Sequence, residues 1–150
     1  MSDIAEAPDP FAVAFRYLNR RERTVSEMRG HLLDRGIGTE AAEDVIDELR
    51  EQGYLDDARY ARVFTQDKRT LEQWGNERIR RALLDRGVDR ELIDEALGED
   101  RGELGRAVAL LRGRFPGPPR DRLERERALG VLLRKGYDAE LALDALRQLG

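Results

Sequence analysis

The pentapeptide Leu83-Leu84-Asp85-Arg86-Gly87 constrains this chain more than any other stretch, because related copies flank it. Leu32-Leu33-Asp34-Arg35-Gly36 precedes it and Leu132-Leu133-Arg134-Lys135-Gly136 follows it, with the glycines 51 and then 49 residues apart. Near-even spacing on this scale is the signature of a tandem structural repeat. Each copy closes an amphipathic run. In the middle copy Ile79, Ala82 and Leu83 fall at i, i+3 and i+4, which is one face of a helix. Gly87 stands where a helix often ends in a left-handed residue, a conformation that only glycine adopts cheaply. Positive φ is therefore expected at Gly36, Gly87 and Gly136.

A common plan of three helices per unit runs along the chain. Residues 1–10 carry two prolines and three acids and are expected to form a disordered tail. Phe11, Ala14, Phe15 and Leu18 mark the first helix. Thr24-Val25-Ser26-Glu27 fits a capping box ahead of the second, which carries Met28 and Leu32 inward. The third starts at Thr39 and places Ala42, Val45, Ile46 and Leu49 on one face. The second unit opens at Gly53-Tyr54-Leu55-Asp56-Asp57, with an Asp placed to cap a helix striped by Tyr60, Val63 and Phe64. Asn76 is expected to cap its second helix, and Asp89 its third. In the third unit Leu104, Val108, Leu111 and Phe115 make the first stripe. Pro116-Gly117-Pro118-Pro119 interrupts the chain, and Asp138 caps the last helix. No alternating β-branched pattern appears. The expected fold is all-α: three tandem three-helix repeats, over 11–55, 56–98 and 99–150, stacked into an elongated, curved molecule. Such small units are expected to share a core with their neighbours. A single compact nine-helix globule is the alternative.

Composition narrows the function. Cysteine is absent, which excludes disulfides and thiol chemistry and fits a reducing, cytoplasmic setting. No apolar stretch is long enough to span a membrane. The single histidine, His31, lies midway along a helix without a catalytic partner in the pattern. Neither a phosphate-cradling glycine loop nor a metal-binding spacing occurs. A non-enzymatic, monomeric protein without cofactor is the expectation.

Charge carries more information than motif. Net charge is −4, yet Arg16–Arg35 holds six cations against three acids, Arg59–Arg86 eight against four, and Arg101–Lys135 ten against four. The third helices reverse this, with Glu40–Glu51 and Asp89–Asp100 each carrying six acids and one arginine. Stacked units would present a basic strip opposite an acidic one, which can orient a charged partner despite the negative total. Arg78 and Arg81, spaced i, i+3 opposite the Ile79/Leu83 stripe, are the best candidates for partner contacts. Arg122 and Arg125 repeat that spacing in the third unit. A helix-turn-helix-like module acting directly on DNA is the second reading, with these arginines on phosphates.

Gly53-Tyr54-Leu55-Asp56-Asp57, followed by Ala61 and Phe64, Gly75, Ile79 and Leu83, and Gly87-Val88, resembles the signature of the RecX family of bacterial regulatory proteins. The third unit departs most from that pattern. The resemblance implies tandem three-helix repeats and a non-covalent modulator of RecA, the recombinase that forms filaments on single-stranded DNA. Inhibition of filament growth, ATP hydrolysis, strand exchange and coprotease activity is the implied outcome, with at most weak direct contact to DNA. The matching residues are mostly structural, so the resemblance itself does not identify contact arginines.

Overall fold

The computed structural model describes residues 8–150, so most of the expected tail lies outside the described residues. Nine helices occur among them: α1 (Pro10–Leu18), α2 (Val25–Asp34), α3 (Thr39–Glu51), α4 (Asp57–Leu71), α5 (Asn76–Asp85), α6 (Arg90–Leu97), α7 (Glu103–Arg114), α8 (Arg122–Lys135) and α9 (Ala139–Gln148). Local chemistry explains most boundaries. Asp9 accepts from Phe11 N–H ahead of Pro10, so residues 9 and 10 belong to the first helix rather than to a tail. Thr24 and Glu27 form the expected reciprocal capping box. Asp56, Asp121 and Asp138 each accept a backbone N–H at the head of α4, α8 and α9. The three stop glycines all have positive φ: +83° at Gly36, +80° at Gly87 and +100° at Gly136.

Two expected caps differ. Asp89 occupies the N-cap position of α6 but makes no side-chain capping bond. Asn76 is already inside α5, and the N-cap is Gly75. The Asn76 side chain turns instead to accept from the Arg69 guanidinium at 2.9 Å. The reason is steric. A Cβ on Gly75 would lie 2.6 Å from Tyr137 N and closer still to the Gly136 carbonyl, so no larger capping residue fits.

Each unit has its own apolar core. The first gathers Met28, Leu32, Ile37, Val45, Ile46, Leu49 and Leu55; the second Ala61, Ile79, Leu83, Val88, Ile93 and Leu97; the third Val108, Leu111, Leu132, Tyr137, Ala145 and Leu146. The well-packed helix pairs all lie within a unit. This corrects the expectation of a shared core: the units meet instead through helix ends, loops and polar side chains. In α4 the buried positions are Ala61 and Thr65, while Val63 is half exposed. Small residues there let α4 lie close against α6, its principal neighbour.

The second helices define the long direction of the stack. The C-terminal end of α8 abuts the N-terminus of α5, through Gly75 N–H to Lys135 O at 2.8 Å and Glu77 N–H to Gly136 O at 3.1 Å. The C-terminal end of α5 likewise abuts the N-terminus of α2, where the Thr24 hydroxyl donates to Arg86 O at 2.7 Å. Three helices thus run head to tail, in the reverse of chain order.

Candidate functional site

The two joints are equivalent by position. At each, the first residue of a second helix donates its backbone N–H to a carboxylate from the first residue of the next unit's first helix. Val25 N–H reaches Asp57 Oδ1 at 2.9 Å, and Asn76 N–H reaches Glu103 Oε2 at 2.7 Å. A helix N-terminus carries partial positive charge and unpaired donors, so an acid there satisfies both needs. Burial pushes both carboxyls above the usual acid range, and the backbone bonds only partly offset it.

The second joint adds an ion triad. Asp100 lies 2.8 Å from Arg106 and 3.3 Å from Arg69, and is only 9% exposed. Burial alone would raise the Asp100 carboxyl, but the Arg106 hydrogen bond and the two guanidinium charges outweigh it and hold it low. Arg69 also donates to Leu97 O, and Arg106 to Trp74 O. The Tyr137 hydroxyl donates to Gln73 O at 2.6 Å, and burial pushes that phenol up to about 12. Gln73 has φ +55°, the only non-glycine with positive φ among the described residues, and the Tyr137 bond helps hold it there.

The candidate contact arginines fall in different settings. Arg78 and Arg81 are both exposed on α5, away from the buried Ile79 and Leu83. The Arg78 guanidinium lies 4.1 Å from the Trp74 ring centre and donates to Arg134 O at 3.2 Å. Both side chains line a cleft at the second joint with Trp74, Leu133 and Arg134. Arg122 and Arg125 are on the first turn of α8, and Arg122 pairs with Glu126 at 3.2 Å. They do not join the α5 pair in that cleft.

The family-signature residues do mainly structural work. Gly53 has φ +81°, Leu55 is buried, and Asp56 caps α4. Asp57 closes the first joint, Phe64 packs edge-on to Trp74, and Gly75 makes the second joint possible. Tyr54 is half exposed and meets Phe15 edge-on at 5.2 Å. His31 stacks on Tyr17 at 3.8 Å, and burial followed by nearby Arg35, Arg23 and Arg20 lowers its pKa. Its position is that of a packing residue. Among the described residues no cluster of potential metal ligands occurs, and no helix is long and apolar enough to cross a membrane.

Charge segregation is partly spent inside the units. Arg29 pairs with Glu43 at 2.7 Å, and Arg80 with Asp94 at 2.6 Å. These are the same positions in successive units, and both join a basic second helix to an acidic third. What the linear pattern did not expose was the cross-unit set: Glu103, Asp100, Arg69, Arg106 and Arg134. Asp57 and Glu103 align only by the starts of α4 and α7, since the glycine register places Arg106 opposite Asp57.

Polar end-to-end docking of three-helix units, each with its own core, defines a class of tandem helical repeat proteins. Comparison with known proteins gives the family. The family model described as RecX, first three-helix domain, matches residues 11–49, and that described as RecX, second three-helix domain, matches residues 56–97. Regulatory protein RecX of Trichlorobacter lovleyi is 34% identical over 155 residues, covering 99% of this chain and 98% of that one. Regulatory protein RecX of Thermus thermophilus is 35% identical over 139 residues, covering 93% and 91%. A crystal structure of RecX from Lactobacillus salivarius superposes with a TM-score of 0.82 at 21% identity, over 93% of this chain and 94% of that one, and so shares the fold. This chain belongs to the RecX family of regulatory proteins.

Proposed function

We propose that this chain binds the RecA recombinase as a filament on single-stranded DNA and restrains it, acting as a cytoplasmic monomer without chemistry of its own. Inhibition would extend to ATP hydrolysis, strand exchange and the coprotease activity behind the SOS response. The observation that carries the reading is relatedness to regulatory RecX proteins along nearly the whole chain. The head-to-tail row of second helices supports it, because an elongated repeat protein offers successive units to a partner that itself repeats.

The geometry favours a protein target over direct recognition of duplex DNA. A helix-turn-helix reads bases with the N-terminal residues of its recognition helix. Here the N-terminus of α5 is sealed by α8 and Glu103, and that of α2 by Arg86 and Asp57, which among the second helices leaves only that of α8 open to a duplex. The test is RecA ATPase on single-stranded DNA as this protein is titrated in, alongside binding to free DNA at several salt concentrations. A falling ATPase rate with little binding to free DNA is expected. An unchanged rate at saturating protein would remove the proposal, and tight, steeply salt-dependent binding to free DNA would favour the second reading.

A further inference from the structure

The cations of the cleft at the second joint form no ion pair among the described residues, although Glu77 and Asp85 also line it. The cleft occupies about 260 Å³ between α5 and the end of α8. Arg78, Arg81 and Arg134 line it, and none is within salt-bridge distance of a carboxylate among the described residues. Most other inter-helix guanidinium contacts in the molecule end on an acid, as Arg29, Arg69, Arg80 and Arg106 do. Three cations against the two rim acids, Glu77 and Asp85, leave the cleft with a net positive charge, which favours an added anion. Leu133, 45% exposed, supplies an apolar wall.

The first joint provides an internal control. By the glycine register, the positions equivalent to Trp74, Arg78, Arg81 and Arg134 are Arg23, Glu27, Gly30 and Asp85. Over the whole cleft, the first joint offers one cation and three acids, whereas the second offers three cations and two acids. Closing a joint therefore does not require these arginines. Arg23 and Glu27 serve their own joint, Arg23 over the Tyr17 ring and Glu27 in the capping box.

We infer that this cleft is a docking site for a short acidic peptide segment of a protein partner, its carboxylates on Arg78, Arg81 and Arg134 and an aliphatic side chain against Leu133. Charge complementarity selects an anion, and three further features select peptide over nucleic acid. Lys68 at 4.7 Å and Arg78 at 4.1 Å already occupy the Trp74 ring, so it is not a free platform for a base. Glu77 and Asp85 on the rim repel a continuous phosphate backbone. The leucine wall suits a side chain and offers a phosphate nothing. Only the identity of the partner, a RecA filament, rests on the proposed function.

Trp74 is the single tryptophan and lines the cleft, so its fluorescence reports on occupancy. The probe is a short capped peptide of glutamates around one leucine, compared with a single-stranded oligothymidylate of equal charge. A saturable change with the peptide is expected, weakened at least about tenfold by Arg81→Glu with Arg134→Glu and unchanged by Arg90→Glu on the exposed start of α6. These surface changes leave all three cores and both joints' backbone bonds in place. Unaltered peptide binding by the double variant, or tighter binding of the oligonucleotide, would overturn the inference. Full restraint of RecA by a double variant that no longer binds peptide would overturn the assignment of the cleft to the filament while leaving the proposed function intact. Peptide binding together with no effect of the parent protein on RecA would do the reverse.

Discussion

At the first joint a side chain meets a backbone: the Thr24 hydroxyl donates to Arg86 O, and Ser26 lies against Gly87. At the second joint backbone meets backbone, since Gly75 and Glu77 donate directly to Lys135 and Gly136. The first joint is bordered by exposed pairs such as Arg59 with Glu22 at 3.6 Å, and the second by the buried Asp100 triad. The same repeat geometry has thus been closed in two ways. Where the capping residue keeps its side chain, as at Thr24, its hydroxyl closes the joint. Where it is glycine, backbone meets backbone directly, and a partly buried carboxylate beside it is paired with two guanidiniums.

Gly75→Ala tests this most severely. The added Cβ meets the backbone of Gly136 and Tyr137, which cannot rotate away, so a loss of about 3 kcal/mol or more in urea unfolding is expected. Asp100→Ala comes next. It strands two partly buried guanidiniums, and a loss on the order of 3 kcal/mol is expected, against about 1 kcal/mol for Asp57→Ala at the first joint. Equal losses at the two would show that the joints do not differ as described. Gly87→Ala is expected to cost about 1–2 kcal/mol, from positive φ and from contact with Ser26. Pairing it with Ser26→Gly should recover the contact part only; full recovery would mean that φ contributes nothing. Glu43→Ala, removing a pair more than 40% exposed on each side, should cost less than about 1 kcal/mol.

Acid titration separates the ion-triad carboxylate from the helix-capping ones by sign. Asp100 is held low, so its stabilisation is complete above the unfolded Asp value of about 3.9 and is lost as pH falls towards its folded value. Asp57 is raised, so its ionisation opposes folding as pH rises from that unfolded value through its folded one. Asp100→Asn should therefore flatten the loss of stability on acidification, and Asp57→Asn should steepen it. Urea midpoints measured through the acid range give the slopes, and matching slopes for the two variants would contradict this assignment.

Much of this architecture was legible because repetition exposes structure that a single segment hides. The three stop glycines marked the ends of the second helices. The buried faces of α3 and α5 followed from helical spacing at Val45, Ile46, Ile79 and Leu83. Cross-unit contacts defeated local rules. Asn76 has the right chemistry for a cap, but the cap position was decided by a neighbouring backbone about sixty residues away. Val63 fits an apolar stripe, but α4 packs through smaller residues. The candidate arginines followed from charge spacing. Their environments did not, because Arg134 reaches the cleft from another unit and Arg122 is engaged by Glu126 on its own helix.

The reversed order of the second helices also sets a schedule for chain synthesis. As α2 emerges, its first backbone N–H has no carboxylate until Asp57 is made 32 residues later, and Thr24 waits 62 residues for Arg86. Asn76 and Gln73 wait 27 and 64 residues for Glu103 and Tyr137. Each unit can condense on its own core as it leaves the ribosome, but it is locked to its neighbour only by residues translated afterwards. A ribosome stalled before Tyr137 would therefore hold a chain with its first joint closed and its second still open. Protease cleavage near Trp74 in such stalled chains, disappearing once Tyr137 has emerged, is the expected trace of that order.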